Sequence, residues 1–184
     1  MKILLFGVSC VGKTTIGKIL AKRIGCEFLD LNKVNIDHYG SIEAFQRAFP
    51  YVYERAKEQG KTLRSLVDQD DEDCVIAVTP LNYKIAFNRL LQDEKVIAFE
   101  IQDTPKNIFD RLIFTDENDV IMEDSEEYKL EHAAYYMREI KKDITFYKNV
   151  YKKIENKVFL DGISAEEGAY IIYKMIINMI QEDV

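Results

Sequence analysis

The chain has few of the residues that disulfide-bonded or metal-bound small domains rely on, since its 184 residues include three cysteines and two histidines. It also has three prolines and no tryptophan. Cys10, Cys26 and Cys74 are scattered and form no C-x-x-C pair, which disfavours a disulfide framework or a zinc site. No apolar run approaches the ~20 residues of a membrane-spanning helix, and the first apolar stretch is too short for a signal peptide. These absences predict a cytoplasmic protein without a membrane partner.

An excess of basic charge is also missing. The chain carries 32 acidic against 25 basic residues, for a formal net charge of −7. Proteins that bind nucleic acid gain much of their affinity by neutralising phosphates with Lys and Arg, so this balance disfavours a nucleic-acid partner. No repeat and no linker rich in Pro or Gly divides the chain. We therefore expect a single domain over residues 1–184, as a monomer or a small homo-oligomer.

A complete phosphate-binding loop motif (Walker A) stands near the start of the chain. Gly7, Gly12, Lys13 and Thr14 meet the pattern G-x-x-x-x-G-K-[ST], between a strand pattern at 2–6 and a helical pattern at 15–24. Glycines let successive backbone N–H groups converge on phosphates, and the helix adds the positive end of its dipole. A chance glycine-rich turn would not explain Lys13 and Thr14 in register. The residues predicted to bind the nucleotide phosphates are Gly7, Val8, Ser9, Cys10, Val11, Gly12, Lys13, Thr14 and Thr15.

Three side chains at this loop and the next strand are predicted to carry the chemistry. We expect Lys13 to reach the β- and γ-phosphates and the Thr14 hydroxyl to complete the shell of a Mg²⁺ ion. Asp30 ends a second strand pattern at 27–31, where a carboxylate would hold Mg²⁺ directly or through water. The alternative interpretation of Asp30 is a helix-initiating aspartate. Lys13 and Asp30 are therefore the predicted catalytic residues, and Thr14 and Asp30 the predicted metal ligands.

The predicted contacts to a phosphoryl acceptor rest on residue type and position. Asn32 follows Asp30 by two residues, and its amide can orient a hydroxyl but cannot remove the proton. Arg47 and Arg55 lie on a helical pattern and are candidates to bind an anionic acceptor. A solvated helix face is the competing interpretation of both arginines.

An acidic segment at 115–127 separates two helical patterns and is interpreted as a lid that closes to exclude water. It contains no arginine, although a lid over phosphates needs positive charge. Arg111 before it, or Arg138 after it, would have to supply that charge. Arg138 is therefore a predicted substrate contact, and an exposed acidic connection is the alternative interpretation of the segment.

Strand and helix patterns alternate along the chain. Beyond the first two, strand patterns occupy 74–79, 95–101 and 157–160. Helical patterns occupy 41–58 with Gly60 as the stop, 81–91, 105–113, 128–154 and a segment opened by Ser164. This alternation predicts an α/β fold with a five-stranded parallel sheet and helices on both faces. Because ligands bind beyond the carboxyl ends of such strands, the phosphate loop should meet 30–32, 79–80 and 103–104 at one edge.

The first part of the chain resembles the shikimate kinase family, within the nucleoside-monophosphate-kinase-like P-loop kinases. The likeness runs through GVSCVGKTTIGKILA at 7–21 and FLDLN at 28–32, and it returns weakly at 42–47. The resemblance implies a three-layer P-loop NTPase fold, with ATP and Mg²⁺ as cofactors bound by Lys13, Thr14 and Asp30. It also implies ATP- and Mg-dependent phosphoryl transfer to a small-molecule acceptor.

The acceptor half of the family pattern differs in this chain. The family's second aspartate, which binds the acceptor, falls on Asn32, and its triple-glycine turn is replaced at 78–82. A late acceptor-binding arginine of the family falls on Asp143. Two other functions therefore stay open on the sequence alone. One is a nucleotide-binding regulatory or switch protein, and the other is a kinase-like protein without turnover.

Overall fold

The computed structural model describes residues 1–69, 72–114, 122 and 125–182 of the chain. Within these residues five parallel strands form a sheet in the order β2-β3-β1-β4-β5. The strands are β1 (Lys2–Phe6), β2 (Glu27–Asp30), β3 (Cys74–Ala77), β4 (Val96–Gln102) and β5 (Asn156–Phe159). The helices are α1 (Lys13–Ile24), α2 (Leu31–Tyr39), α3 (Ile42–Ala48), α4 (Val52–Asp68), α5 (Lys84–Leu90), α6 (Pro105–Asp110), α7 (Ser125–Glu131), α8 (Ala133–Val150) and α9 (Ala165–Glu182). The predicted α/β fold with a five-stranded parallel sheet is confirmed.

The central strand β1 is buried on both of its faces. Ile3 and Leu5 belong to a core cluster that includes side chains from α1, α6, α8 and α9. Leu4 and Phe6 belong to a second cluster that includes side chains from α2, α4 and α5. Successive side chains of a strand point to opposite faces, so an apolar run with no alternation is what two covered faces require. The helices therefore form a layer on each side of the sheet.

The helix predicted at 41–58 is two helices, α3 and α4, with Pro50 between them. The residue before a proline is biased away from helical geometry, and Phe49 has φ −128° and ψ 79°. Nη1 of Arg55 donates hydrogen bonds of 2.9 Å to the carbonyl oxygens of Phe49 and Pro50. Arg55 therefore fixes the connection between α3 and α4, a role that the sequence did not indicate.

Gly60 does not end a helix, contrary to the prediction, since α4 continues through it to Asp68. A Cβ at Gly60 would lie 2.9 Å from the Cβ of Ala86 and 3.1 Å from Cδ1 of Tyr83. Carbon atoms do not approach so closely without something shifting, so this glycine allows α4 to pack closely on the segment that carries α5.

Other boundaries also differ from the prediction. Residues 31–39 form helix α2, which was not expected, and Leu31 belongs to this helix rather than to the second strand. The helix predicted at 128–154 is divided at His132 into α7 and α8, and α7 already begins at Ser125. Of the predicted lid, 115–121, 123 and 124 lie outside the described residues.

No helix in the described part of the chain combines the length and the apolar composition that a membrane crossing needs.

Candidate active site

The loop between β1 and α1 has a backbone that only glycine adopts readily at its two motif positions. Gly7 has φ +146°, and a Cβ there would lie 2.5 Å from the carbonyl oxygen of Ile101 in β4. Gly12 has φ +107° at the N-terminus of α1. The motif glycines therefore bring the loop close to β4 and turn the chain into the helix, as the phosphate-binding interpretation requires.

Lys13 is held inside this loop with only 9% of its surface exposed. Its Nζ donates hydrogen bonds to the carbonyl oxygens of Gly7 at 3.0 Å and of Val8 at 2.7 Å. Burial lowers the pKa of Lys13 to about 8, although Cys10 and Asp30 act in the opposite direction. The partners of the ammonium are neutral carbonyls, so negatively charged phosphate oxygens would bind it more strongly.

This lowered pKa predicts opposite pH effects on stability and on ATP binding. The ordinary pKa of 10.5 applies to the unfolded chain, so between about pH 8 and 10.5 the unfolded state binds more protons than the folded state. The contribution of Lys13 to the free energy of unfolding therefore rises with pH across that range. ATP prefers the ammonium form, so its Kd should increase above about pH 8, by up to roughly tenfold per pH unit. Calorimetric titration of ATP from pH 7 to 10 measures this, and a constant Kd would contradict it.

Thr14 and Asp30, the predicted metal ligands, lie in direct contact. The Thr14 hydroxyl donates a 2.7 Å hydrogen bond to Oδ2 of Asp30. The other carboxylate oxygen, Oδ1, accepts a 3.0 Å hydrogen bond from the backbone N–H of Asn32 and caps α2. The two interpretations of Asp30 are therefore compatible, because one oxygen initiates a helix while the other faces the first turn of α1.

Asn32 connects this pair to the next strand of the sheet. Its Oδ1 accepts a 2.6 Å hydrogen bond from the hydroxyl of Thr79, a buried residue just after β3. The predicted meeting of the phosphate loop with 30–32 and 79–80 is thus observed as two linked hydrogen bonds, Thr14 to Asp30 and Thr79 to Asn32. The sequence named the segment 79–80 only by its position after a strand, and Thr79 is the residue in it that reaches the site.

The fourth expected segment, 103–104, reaches the loop through Arg111. The buried carboxylate of Asp103 accepts hydrogen bonds from Arg111, from Asn107 at 2.8 Å and from the N–H of Thr104 at 2.7 Å. Burial raises the pKa of Asp103, but these donors outweigh it and hold the pKa below the ordinary value. Nε of Arg111 also donates to the carbonyl oxygen of Cys10 at 3.2 Å. Arg111 therefore places a guanidinium on the phosphate loop.

The two arginines predicted as substrate contacts, Arg47 and Arg138, take part in none of the described contacts of this site. Arg47 is exposed on α3. Arg138 is exposed on α8, where it pairs with Glu139 at 3.2 Å and lies 5.4 Å over the ring of Tyr135. No described contact joins either one to the loop, and their roles stay predictions.

A cavity of about 240 Å³ adjoins Asn32 and is lined by residues of α2, α3 and α4. Its polar lining consists of the carboxamides of Asn32, Asn35, Gln46 and Gln59 and the guanidinium of Arg55. Ile36, Ile42 and Phe45 provide its apolar lining. We refer to it as the acceptor-side cavity. It was not predicted as a unit, because its residues come from three helices whose packing no short motif records.

Comparison with known proteins agrees with this geometry. The family model of shikimate kinase matches residues 9–178. A shikimate kinase of Marinomonas sp. (strain MWYL1) is 38% identical over a stretch that covers 41% of this chain and 41% of that protein, well under two thirds of its length.

Solved structures show the same fold. The chain is similar to the shikimate kinase from Bacteroides thetaiotaomicron, with a TM-score of 0.72 and 17% identity over 96% of this chain and 98% of that one. It is also similar to the shikimate kinase from Acinetobacter baumannii in complex with shikimate, with a TM-score of 0.70 and 17% identity over 96% and 93% of the two chains. At this identity the structures show the fold alone. The family model, however, spans residues 9–178, which is most of the chain and includes Lys13, Thr14, Asp30, Asn32 and Thr79, and the chain therefore belongs to the shikimate kinase family.

Proposed function

We propose that this protein transfers the γ-phosphoryl group of ATP, with Mg²⁺, to a hydroxyl of a small acceptor bound in the acceptor-side cavity. The observation that carries the proposal is the continuity of the site. Thr14, next to Lys13 in the phosphate loop, donates a hydrogen bond to Asp30. Asp30 caps the helix that begins at Leu31, and Asn32 of that helix lines the cavity. A nucleotide and an acceptor would thus bind on adjoining surfaces.

The nucleotide half of the proposal rests on charge. Lys13 exchanges two carbonyl partners for phosphate oxygens, and a buried ammonium interacts more strongly with them than an exposed one would. Arg111 brings a second cation to the loop backbone at Cys10. In phosphoryl transfer the protein contributes mainly positioning and charge stabilisation, which is what these two side chains supply.

The residues present fit a Mg²⁺ ion. The Thr14 hydroxyl and the Asp30 carboxylate are oxygen donors in contact at 2.7 Å, and Mg²⁺ in kinases takes one or two protein oxygens together with phosphate and water. No group of three or more His, Cys, Asp or Glu in the described ranges is arranged as a metal cage. When bound, Mg²⁺ would neutralise phosphate charge, and Thr14 and Asp30 would hold it.

Asn32 would orient the attacking hydroxyl of the acceptor. Its Oδ1 accepts from Thr79, which fixes the carboxamide and leaves the Nδ2 group as a donor. An amide is not a base, but the transition state of phosphoryl transfer is loose, so early removal of the hydroxyl proton is not required. Asn32 would therefore position the hydroxyl, and the hydroxyl proton would pass to a phosphate oxygen or to water as the new O–P bond forms and the bond to ADP breaks.

The size and lining of the cavity indicate which size and which functional groups of an acceptor would fit it. Its volume of about 240 Å³ is below the ~300–1,000 Å³ of pockets for drug-sized ligands, which favours a small metabolite over a nucleoside. Four carboxamides suit hydroxyl groups. Arg55 adds one cation, already oriented by the carbonyls of Phe49 and Pro50, and it is the candidate contact for an anionic group.

The experiment that tests the proposal is Mg²⁺-dependent release of ADP from ATP. It is measured with and without shikimate, and with a panel of other hydroxy acids, sugars and nucleosides. We expect stimulation by a small polyhydroxylated compound. No stimulation by any acceptor, with ATP still bound, would favour a regulatory protein without turnover, and preference for GTP would favour a switch. The cytoplasmic location and the monomer or small homo-oligomer remain proposals.

A further inference from the structure

Asn35 is a buried polar residue without a protein partner. Its side chain is 4% exposed and lines the acceptor-side cavity. Neither its Nδ2 nor its Oδ1 forms a hydrogen bond with any residue of the described ranges. Among the described residues, buried side-chain atoms without a hydrogen bond are found only in Asn35. The carboxamide therefore carries an unused donor and an unused acceptor next to a cavity.

Folding gains nothing from this arrangement. A buried amide is normally hydrogen-bonded, because removing it from water without a partner costs stability. Helix α2 does not need Asn35 for its own formation, since Asp30 caps its start and Leu31 is fully buried in the core. A leucine at position 35 would fill similar space at no such cost. The unpaired amide therefore indicates a binding role.

The position of Asn35 relative to Asn32 defines what that role requires. The two residues are three apart on α2, so their side chains lie on one face with Cβ atoms about 5–6 Å apart. Asn32 is fixed by Thr79 beside Asp30, at the end of the cavity nearest the phosphate loop. Asn35 lies one turn farther along the helix. A molecule that reaches both amides must carry two polar groups separated by a similar distance.

We propose that Asn35 is a specificity residue that recognises a second group of the acceptor, about one helical turn from the hydroxyl held by Asn32. This group both donates and accepts a hydrogen bond, as a hydroxyl or a primary amide does, because only such a group satisfies both atoms of the carboxamide. A carboxylate would leave Oδ1 facing a negative charge, and a methyl group would leave both atoms unpaired. The inference deepens the proposed function and rests on it.

The first test is the stability of the protein without ligands. Asn35→Leu replaces the amide by an apolar group of similar shape and should raise Tm by about 2–8 °C in a chain of this size. The matched control is Gln46→Leu, which changes an exposed amide of the same cavity and should leave Tm within about 1 °C. A lower Tm for Asn35→Leu would mean that the amide is satisfied in the free protein, by an ordered water, and would overturn the proposal.

The second test uses shikimate and the two monodeoxy analogues that keep the attacking hydroxyl as acceptors in the ADP-release assay. We expect Asn35→Leu to raise the KM for shikimate by about 10–100-fold with a smaller change in kcat, since the lost contact is made to bound acceptor and transition state alike. One of these two analogues should have a similarly raised KM with the wild-type protein, and Asn35→Leu should not raise the KM for that analogue further. An unchanged KM for shikimate, or an equal increase in KM for shikimate and both analogues, would contradict a recognition role.

The two tests separate this inference from the proposed function. If the wild-type protein binds ATP but phosphorylates none of these three compounds, the acceptor assignment fails, and the Tm comparison still decides whether Asn35 is kept unpaired for a ligand. If shikimate is phosphorylated and Asn35→Leu behaves as the wild type in both tests, the proposed function stands and the inference about Asn35 fails.

Discussion

Lys13→Met should lower the rate of phosphoryl transfer by about 10³-fold or more and abolish tight binding of ATP, while the folded protein stays intact. The mutation removes the buried cation that the loop carbonyls of Gly7 and Val8 hold for the phosphates. Burial lowers the pKa of Lys13 and outweighs the opposing effects of Cys10 and Asp30, so the ammonium costs stability in the free protein. The variant should therefore unfold at a temperature equal to or above that of the wild type.

Lys18→Met is the matched control for this experiment. Lys18 lies on the same helix, α1, and is exposed, so its mutation removes one positive charge from the chain without touching the loop. ATP affinity is measured by titration calorimetry and folding by thermal circular dichroism for both variants. Loss of ATP binding in Lys13→Met alone supports the assignment. Wild-type affinity in a folded Lys13→Met protein would remove the loop from the nucleotide site.

Asp30→Asn and Asp30→Ala should separate the two functions of one carboxylate. Asparagine caps helices about as well as aspartate, so Asp30→Asn should keep the cap of α2 and change stability little. It removes the negative charge proposed to hold Mg²⁺, and the rate should fall by about 10²–10³-fold. Asp30→Ala should show the same loss of rate and an additional loss of about 1 kcal/mol of stability, because the cap is gone.

The Mg²⁺ dependence of the rate is the deciding measurement for Asp30. At saturating ATP, the Mg²⁺ concentration for half-maximal rate should increase in both variants by a similar factor. Urea unfolding of the free proteins measures the cap separately. If Asp30→Asn keeps the wild-type rate and Mg²⁺ dependence, then Asp30 serves α2 only and the metal assignment is wrong.

The parts of the fold that the sequence predicted are those determined by neighbouring residues. The apolar runs of β1, β3 and β4 predict buried strands because a strand covered on both faces needs no polar side. The phosphate loop follows from nine consecutive residues at 7–15, whose glycines and helix start dictate the backbone. Thr14 and Asp30 met because the carboxyl ends of parallel strands share one edge of the sheet.

The parts that could not be predicted depend on contacts between distant residues. Gly60 was interpreted as a stop, since nothing near it in sequence reveals that α5 packs against it. Arg55 was predicted either to bind an anionic acceptor or to lie on a solvated helix face, and its hydrogen bonds to the carbonyls of Phe49 and Pro50 depend on the break at Pro50. Asn35 carried no signal, because whether an amide is buried and unpaired depends on the packing of α2, α3 and α4.

Helix α2 has a consequence for how the two substrates influence each other. Asp30, its N-terminal cap, accepts a hydrogen bond from Thr14 of the phosphate loop. The same helix carries Asn32 and Asn35, which line the acceptor-side cavity. A change in the hydrogen bonds of Asp30 when a nucleotide and its metal bind therefore acts on the N-terminus of the element that presents the acceptor amides. Helix α2 would therefore link the two binding equilibria. By thermodynamic reciprocity, any factor by which nucleotide alters the affinity for acceptor is the factor by which acceptor alters the affinity for nucleotide.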